Sequence, residues 1–374
     1  MRLTSSVSLL LIVASTVVAG DGAPVVPDRT RGEEEQILAR ERWFGERRGL
    51  AEIPRADLLR AAAVAEARSL RAQSPDRLEG LQWQPLGPDA MTMLGWAMGP
   101  VAGRVSALAV HPGDEQVLYL GAASGGLWKS TDGGGSWASL FDDVGTQTIG
   151  SIALDPADPN TVWAGTGEQG QSCWDYFGLG LFRSTDGGLT WEDRSGSGSS
   201  ALKVSFVSSV AIHPTVPGLV LAGGHGYCSG GGYYYGGLFR STDSGSSWAS
   251  VLGGAVTDIL LDPADPDLVI AGRGRWGQAG DGVYRSTDSG LTWQRLTDGL
   301  PVDGAVGRVR LARAPSDRAV LYALVDDRSG SAALYRSTDG GDSWATRNTS
   351  ACEGQCWYDL CLDVDPTSPE KLLV

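Results

Sequence analysis

Six carboxylates of this chain stand where an acid could face a ligand. Glu168, Asp175, Asp281 and Asp359 lie in polar, glycine-rich stretches, while Asp258 and Asp363 interrupt apolar, strand-like runs. Two carboxyl groups facing each other across a glycosidic bond can hydrolyse it, one as acid and the other as base or nucleophile. A carboxylate held near an enclosed channel can also have a raised pKa and serve as the acid. No pair among the six stands out by spacing, and each could simply accept hydrogen bonds from turn amides or strand ends. The same stretches carry Trp174, Tyr176, Tyr227, Tyr234, Trp276 and Trp357. Flat rings beside hydrogen-bonding groups suit sugar faces and peptide side chains alike, or they pack one loop on the next.

The elements that must position these residues are announced by a repeat. The pattern S-T-D-x-G-x-x-W occurs five times, with its acids at Asp132, Asp186, Asp243, Asp288 and Asp339. Its tryptophans are Trp137, Trp191, Trp248, Trp293 and Trp344, at intervals of 54, 57, 45 and 51 residues. Each copy sits between two short alternating apolar runs, which reads as a hairpin. The Asp can accept bonds from its own turn amides, and the Gly can adopt a positive φ. The Trp opens the return strand and can pack on the neighbouring hairpin. These five acids therefore read as structural. Upstream of each copy lies an inner-strand run ending in a Pro turn, as in Ser106 to Pro112 and Ile152 to Pro156. A second strand and a variable loop follow. Four antiparallel strands per repeat make a propeller blade; a β-solenoid, the alternative, has coils shorter than 45 residues.

The five boxes resemble the Asp-box, or BNR, repeat of secreted β-propellers, over roughly residues 81–374. That group includes sialidases, xyloglucan-active glycoside hydrolases and the sortilin-type receptors. The resemblance implies an all-β propeller of five full blades and a partial sixth. It implies an extracellular glycan as the ligand, bound or also hydrolysed as in a glycoside hydrolase. A non-catalytic propeller contacting a peptide or protein is the alternative, because one architecture hosts several activities. Xyloglucan-active relatives place their two acids on two facing propellers, whereas this chain has room for one. Sialidases carry an arginine triad, which the resemblance could place on Arg104, Arg273 and Arg308 although guanidinium groups also serve structural pairs, and a Phe/Tyr-Arg-Ile-Pro motif where this chain has Gly103-Arg104-Val105-Ser106. In a propeller the loops before each third strand share one face, so the six aromatics are expected around the channel mouth, with Glu168 and Asp281 nearby. Cys173 and Cys228 fall in equivalent loops of adjacent blades and are expected to form a disulfide, with Cys352 and Cys356 the next pair and Cys361 free. No cofactor or metal is expected: the Cys352-Cys356-Cys361 cluster has no nearby His to complete a zinc site.

The remaining organisation follows from composition. Residues 1–20 read as a signal peptide, with Arg2, an apolar core and small residues at Val18-Ala19-Gly20. A lone membrane anchor is the rival, but the apolar run is short of the roughly 20 residues of a span. Residues 21–30 read as a flexible leader. Residues 31–76 are rich in Glu, Arg, Ala and Leu and read as a helical extension, with helices over 33–48 and 55–73. A formal charge of −14 argues against nucleic acid or anionic membrane as partner. Trp83 to Leu86 matches a fourth strand and could close the ring. The chain ends on the first strand, the turn and the start of the second strand of a sixth repeat, which reads as a truncated blade.

Overall fold

The computed structural model describes residues 56–73, 103–168 and 176–374, apart from 203, 205, 227, 230, 231, 234, 235, 275, 276, 355 and 359. The expected signal peptide, leader and first helix lie outside these residues. The second helix spans Ala56–Gln73. It touches Gly145, between the first two sheets, through Ala61, and its Arg68 lies 3.8 Å from Asp143.

The chain is an all-β, five-bladed propeller of four-stranded antiparallel sheets. The blades span Val105–Ser139, Ile149–Asp193, Phe206–Gly253, Val256–Leu296 and Val309–Glu353, in order along the chain. Their first strands are Val105–His111, Ile149–Leu154, Phe206–Ile212, Val256–Leu261 and Val309–Ala314. Successive first strands pack against one another and so line the axis. Two further strands, Asp363–Val364 and Leu372–Leu373, pair beyond the fifth blade.

The cores lie between blades, as period-two strands with two covered faces require. Trp163 and Leu181 of blade two pack with Val207, Val220 and Trp248 of blade three. Ile270 and Val283 of blade four pack with Val309, Leu321 and Trp344 of blade five. Tyr322 and Leu324 pack in turn on Leu360 and Val364. A hydroxyl near the start of each of the first four inner strands also bridges to the next blade. Ser106 donates to Ile149 O (2.6 Å), Ser151 to Val207 O (3.0 Å), Ser208 to Val256 O (2.6 Å) and Thr257 to Val309 O (3.0 Å).

The S-T-D segments join third and fourth strands in every blade. In the first, Ser130 donates to Asp132 (2.8 Å) and accepts from Gly134 N (2.8 Å). Asp132 accepts from Ser136 N (2.8 Å) and Ser136 Oγ (2.7 Å). The same ring of bonds recurs at Asp186 with Thr190, Asp243 with Ser247, Asp288 with Thr292 and Asp339 with Ser343. The residue before each Trp is thus always a hydroxyl, a fixed position absent from the motif as read from sequence. Gly134 and its four counterparts all have positive φ. The five tryptophans are buried or half-buried. Two of them donate to the preceding blade: Trp191 to Leu140 O (3.1 Å) and Trp248 to Arg194 O (2.8 Å).

Candidate functional site

One cavity of about 270 Å³ opens at the axis, lined by Arg104, Ser106, Gly150, Glu168, Arg308, Arg310, Tyr358 and Cys361 with Val105 and Leu360. Its walls come from chain segments far apart in sequence. Arg104 immediately precedes the inner strand of blade one, and Arg308 that of blade five. Ser106, Gly150 and Arg310 sit near the starts of the inner strands of blades one, two and five. Gly150 is required by the close approach of backbone: a Cβ there would lie 2.3 Å from Gly167 O and 2.6 Å from Val207 O.

Glu168 is the centre of the arrangement. It follows the second strand of blade two and is only 4% exposed. Its backbone N–H donates to Tyr176 O (2.9 Å), which fixes the start of its loop. Its Oε1 accepts from Arg104, 64 residues earlier, and from the Tyr358 hydroxyl, 190 residues later. The Arg104 guanidinium lies over the Tyr358 ring, 4.9 Å from its centroid, and Arg308 donates to the Tyr358 carbonyl. Burying a carboxylate is costly unless charged and hydrogen-bonding partners such as these satisfy it. Three repeats therefore converge on one acid.

Arg310 is held from behind. Its Nε donates to Leu360 O (3.2 Å), and its Nη1 lies 3.9 Å from the Asp258 carboxylate. Asp258 also accepts from Leu311 N (3.0 Å) and Ile259 N (2.9 Å). Burial pushes its pKa up, against the pull of Arg310 and those amides.

The other sequence candidates are dispersed. Asp281 is 2% exposed, accepts from Gln278 N (2.7 Å) and faces Arg273 at 3.4 Å. It ties its own loop and does not line the cavity. Arg273 is absent from the lining as well; Arg310 stands beside Arg104 and Arg308 instead. Asp363 is exposed, and its carboxylate accepts from the adjacent Val364 N (2.8 Å). Trp357 is 9% exposed and packs on Tyr358 at 5.4 Å, beneath the lining rather than on it. Tyr176 is half-buried. Asp175, Asp359, Trp174, Tyr227, Tyr234, Trp276 and Cys173 lie outside the described residues, and with Cys173 the expected bond to Cys228. Cys352 and Cys356 form a disulfide, and Cys361 is a free, exposed thiol. Among the described residues no cluster of three or more His, Cys, Asp or Glu gathers as a metal site.

Arg310 and Tyr358 were not singled out from sequence. Arg310 had a signal. Aligned on the inner strands, blades one, three and four read Val105-Ser106, Val207-Ser208 and Val256-Thr257, whereas blade five reads Val309-Arg310. A charge stands where those three blades carry a hydroxyl. Tyr358 stands beside Trp357 in the same aromatic loop, but nothing in that pattern pairs it with Glu168, 190 residues away.

No protein-family model matches the chain. It is 25% identical over 258 residues to a xyloglucanase of Paenibacillus sp, which covers 66% of this chain and 21% of that protein. It is 28% identical over 178 residues to a xyloglucanase of Hypocrea jecorina, covering 45% and 20%. The chain thus spans about a fifth of the length of these curated relatives. Among solved structures, an ancestral GH74 enzyme superposes with a TM-score of 0.54 at 22% identity, over 77% of this chain and 35% of that one. That likeness concerns the fold. Both curated relatives are named as xyloglucanases.

Proposed function

We propose that this chain is the propeller of a secreted, glycosyl-hydrolase-like protein that binds an extracellular glycan at its axial cavity. The observation that carries the reading is Glu168: a buried acid at the axis, gripped by Arg104 and Tyr358 from two other repeats. A carboxylate so placed can accept hydrogen bonds from sugar hydroxyls or take part in proton transfer. Hydrolysis would need a second carboxyl group facing it. Among the described residues that line the cavity, Glu168 is the single carboxylate. Binding is therefore the primary assignment, and catalysis depends on a second acid beyond these described lining residues. In the same reading the S-T-D turns are Asp boxes, the strand pair at 363–373 opens a sixth blade, and residues 1–20 direct export. Trp174 and Trp276 stack on the ligand. No observation favours the peptide-binding alternative.

A glycan array, followed by a reducing-sugar assay on the ligands found, tests the assignment with the full chain. Binding to a defined glycan, weakened at least about tenfold by Glu168→Gln through loss of a charged hydrogen-bond partner, is expected. Trp174→Ala with Trp276→Ala weakens binding at little cost in thermal stability. A chain that binds no glycan, with its fold intact by circular dichroism, overturns the reading.

A further inference from the structure

The turn between first and second strands recurs with one architecture, and its closing residue changes type once. In blades two, three and four the residue before the Pro donates its backbone N–H six positions ahead. Asp155 donates to Thr161 O (2.9 Å), His213 to Leu219 O (3.0 Å) and Asp262 to Leu268 O (3.1 Å). The strand pair beyond blade five repeats the bond, from Asp365 to Lys371 O (2.9 Å). In three of these turns a carboxylate then closes the loop. Asp155 accepts from Ala157 N (2.9 Å), Asp262 from Ala264 N (3.0 Å) and Asp365 from Thr367 N (2.8 Å). In blade three the acceptor is an imidazole: His213 Nδ1 accepts from Thr215 N (3.3 Å) and Val216 N (3.0 Å). We propose that His213 is a pH-sensitive latch. Neutral, it closes the 213–219 turn; protonated, it releases that turn and loosens the seam between blades three and four.

The chemistry of the ring makes the two states exclusive. An accepting nitrogen needs its lone pair, so the proton of neutral His213 sits on Nε2. An imidazolium carries N–H on both nitrogens and accepts nothing. A proton on Nδ1 would point at two amide protons. A carboxylate in the same place behaves otherwise: Asp262 is held below the ordinary 3.8 by Arg318, Ala264 N and Arg313 against its burial, so its turn keeps an acceptor at mildly acid pH.

The surroundings disfavour a charge where the ring now lies. His213 is 5% exposed, and its Nε2 is buried without a hydrogen-bond partner among the described residues. Two charged side chains act on it. Asp267, in the equivalent turn of blade four, favours the imidazolium, and Arg240, on the third strand of blade three, opposes it. Burial is the largest influence and, with Arg240, holds the pKa below the ordinary 6.5 against Asp267. The unfolded chain therefore takes up this proton first as pH falls. The stabilisation is complete above about pH 6.5 and is lost as pH falls from there through the lowered folded value.

The latch sits at a joint between blades. Arg240 Nε donates to Ser289 O (3.1 Å), Ser289 Oγ donates to the Asp267 carboxylate, and Ser289 N donates to Asp267 O (3.0 Å). A charged His213, released from its amides, is drawn towards Asp267 and competes with Ser289 for it. The ends of the turn are anchored, since Ile212 and Val220 are buried in the core shared with blade two. Opening is therefore confined to the turn and its blade-four side. His111 closes a shorter turn in blade one with a single bond from Gly113 N (3.1 Å), and it is only half-buried.

Hydrogen exchange of the full chain at about pH 7.5 and about pH 5, corrected for intrinsic rates, tests the latch. It is read by mass spectrometry on peptides spanning 155–161, 213–219 and 286–293. The ring signals of the chain's three histidines are titrated in parallel by nuclear magnetic resonance. An opened turn frees His213 to titrate near about 6.5, so exchange in 213–219 is expected to be at least about fivefold faster at the lower pH. Exchange in 286–293 rises with it, and the Asp-closed turn 155–161 does not change. His213→Asn keeps a neutral acceptor and abolishes the rise. His213→Asp copies the turns of blades two and four and is the second variant, expected to behave as His213→Asn does. The signal lost in these variants identifies His213, which titrates below 6.5 in the parent. Exchange in 213–219 that is equal at both pH values overturns the proposal. A rise that persists in both variants assigns the effect to another group and overturns it as well. So does a His213 signal that titrates at or above 6.5. No glycan enters the experiment, so its outcome is independent of the binding assignment.

Discussion

The five S-T-D turns and the axial cavity are both organised around carboxylates, but they recruit partners differently. At a turn, the Asp is satisfied within four residues: Asp288 accepts from Thr292 N (2.8 Å) and Thr292 Oγ1 (2.6 Å) and from Ser286 Oγ (2.7 Å). Its carboxyl is drawn down from 3.8 to about 2, chiefly by the Thr292 hydroxyl, and Asp132 and Asp186 behave likewise. In the cavity, the partners of the Glu168 carboxylate among the described residues are 64 and 190 positions away, brought in once the blades have curved round the axis. A carboxylate tied to its own turn stabilises that turn. One tied across the axis exists in its final form only in the assembled ring and faces an open space. The difference separates structural acids from a site acid more sharply than residue type or exposure does.

The largest effect is expected where cross-axis contacts are removed. Glu168→Ala leaves the Arg104 guanidinium and the Tyr358 hydroxyl without this acceptor. It should abolish measurable glycan binding and cost about 1–3 kcal/mol of stability, the range for stranding a buried partner. Titration calorimetry with denaturant unfolding measures both. If the variant is as stable as the parent and binds as well, Glu168 is no different from a turn acid.

A turn acid should give the reverse pattern. Asp288→Ala is expected to cost about 1–2 kcal/mol, comparable to losing a helix cap, with binding unchanged. The pH dependence has the corresponding sign. The folded pKa near 2 lies below the ordinary 3.8, so the contribution is fully present above about pH 4 and is lost as pH falls towards 2. Asp243 and Asp339 are lowered as well, and for the same reason. Five such groups add up, so stability should fall steeply between pH 4 and pH 2. Unfolding midpoints across that window, with Asp288→Asn losing one share of the slope, provide the check. A flat profile would show that the turns are not held by ionised carboxylates.

Between these lies the bridge of inner strands. Ser208 donates to both Gly223 O (3.0 Å) and Val256 O (2.6 Å) and is buried. Ser208→Ala should cost about 1 kcal/mol, since it removes a buried donor while the carbonyls keep their other acceptor capacity. The contact couples blades three and four, so the loss should appear as faster amide exchange at that junction before it appears at the turns.

What the sequence disclosed follows the same division. The repeat motif and the Pro turns are local, so the four-stranded blades, their order and their inner strands could be read from the chain. The last hydroxyl of the turn, at Ser136 and its counterparts, was also local but was hidden by Ser/Thr alternation. The cavity was legible only in pieces. Glu168, Arg104 and Arg308 could be named as candidates, but nothing in their spacing says that they meet, because their proximity depends on ring curvature. Asp281 looked equivalent to Glu168 until its loop folded it against Arg273 and Gln278. Trp357 looked like a ligand platform because its loop is polar, but its ring is taken up under Tyr358.

Asp363 gives the smallest expected effect and the cleanest control. From sequence it matched Asp258, since both interrupt the inner strand of a repeat. In the structure they differ: Asp258 is backed by Arg310 and accepts from a strand of the next blade, whereas Asp363 is exposed and accepts from its own neighbour, Val364 N. With a single local bond and water at hand, Asp363→Asn keeps an acceptor in place and should change stability by less than about 0.5 kcal/mol. It should leave glycan binding untouched, because its side chain does not line the cavity. Asp258→Asn, by contrast, should weaken glycan binding through Arg310, which lines the cavity. Measured side by side, the pair asks whether an acid on an inner strand matters for its place in the repeat or for the arginine it holds. A loss of binding in Asp363→Asn equal to that in Asp258→Asn would favour the place in the repeat and move the ligand site away from the arginines.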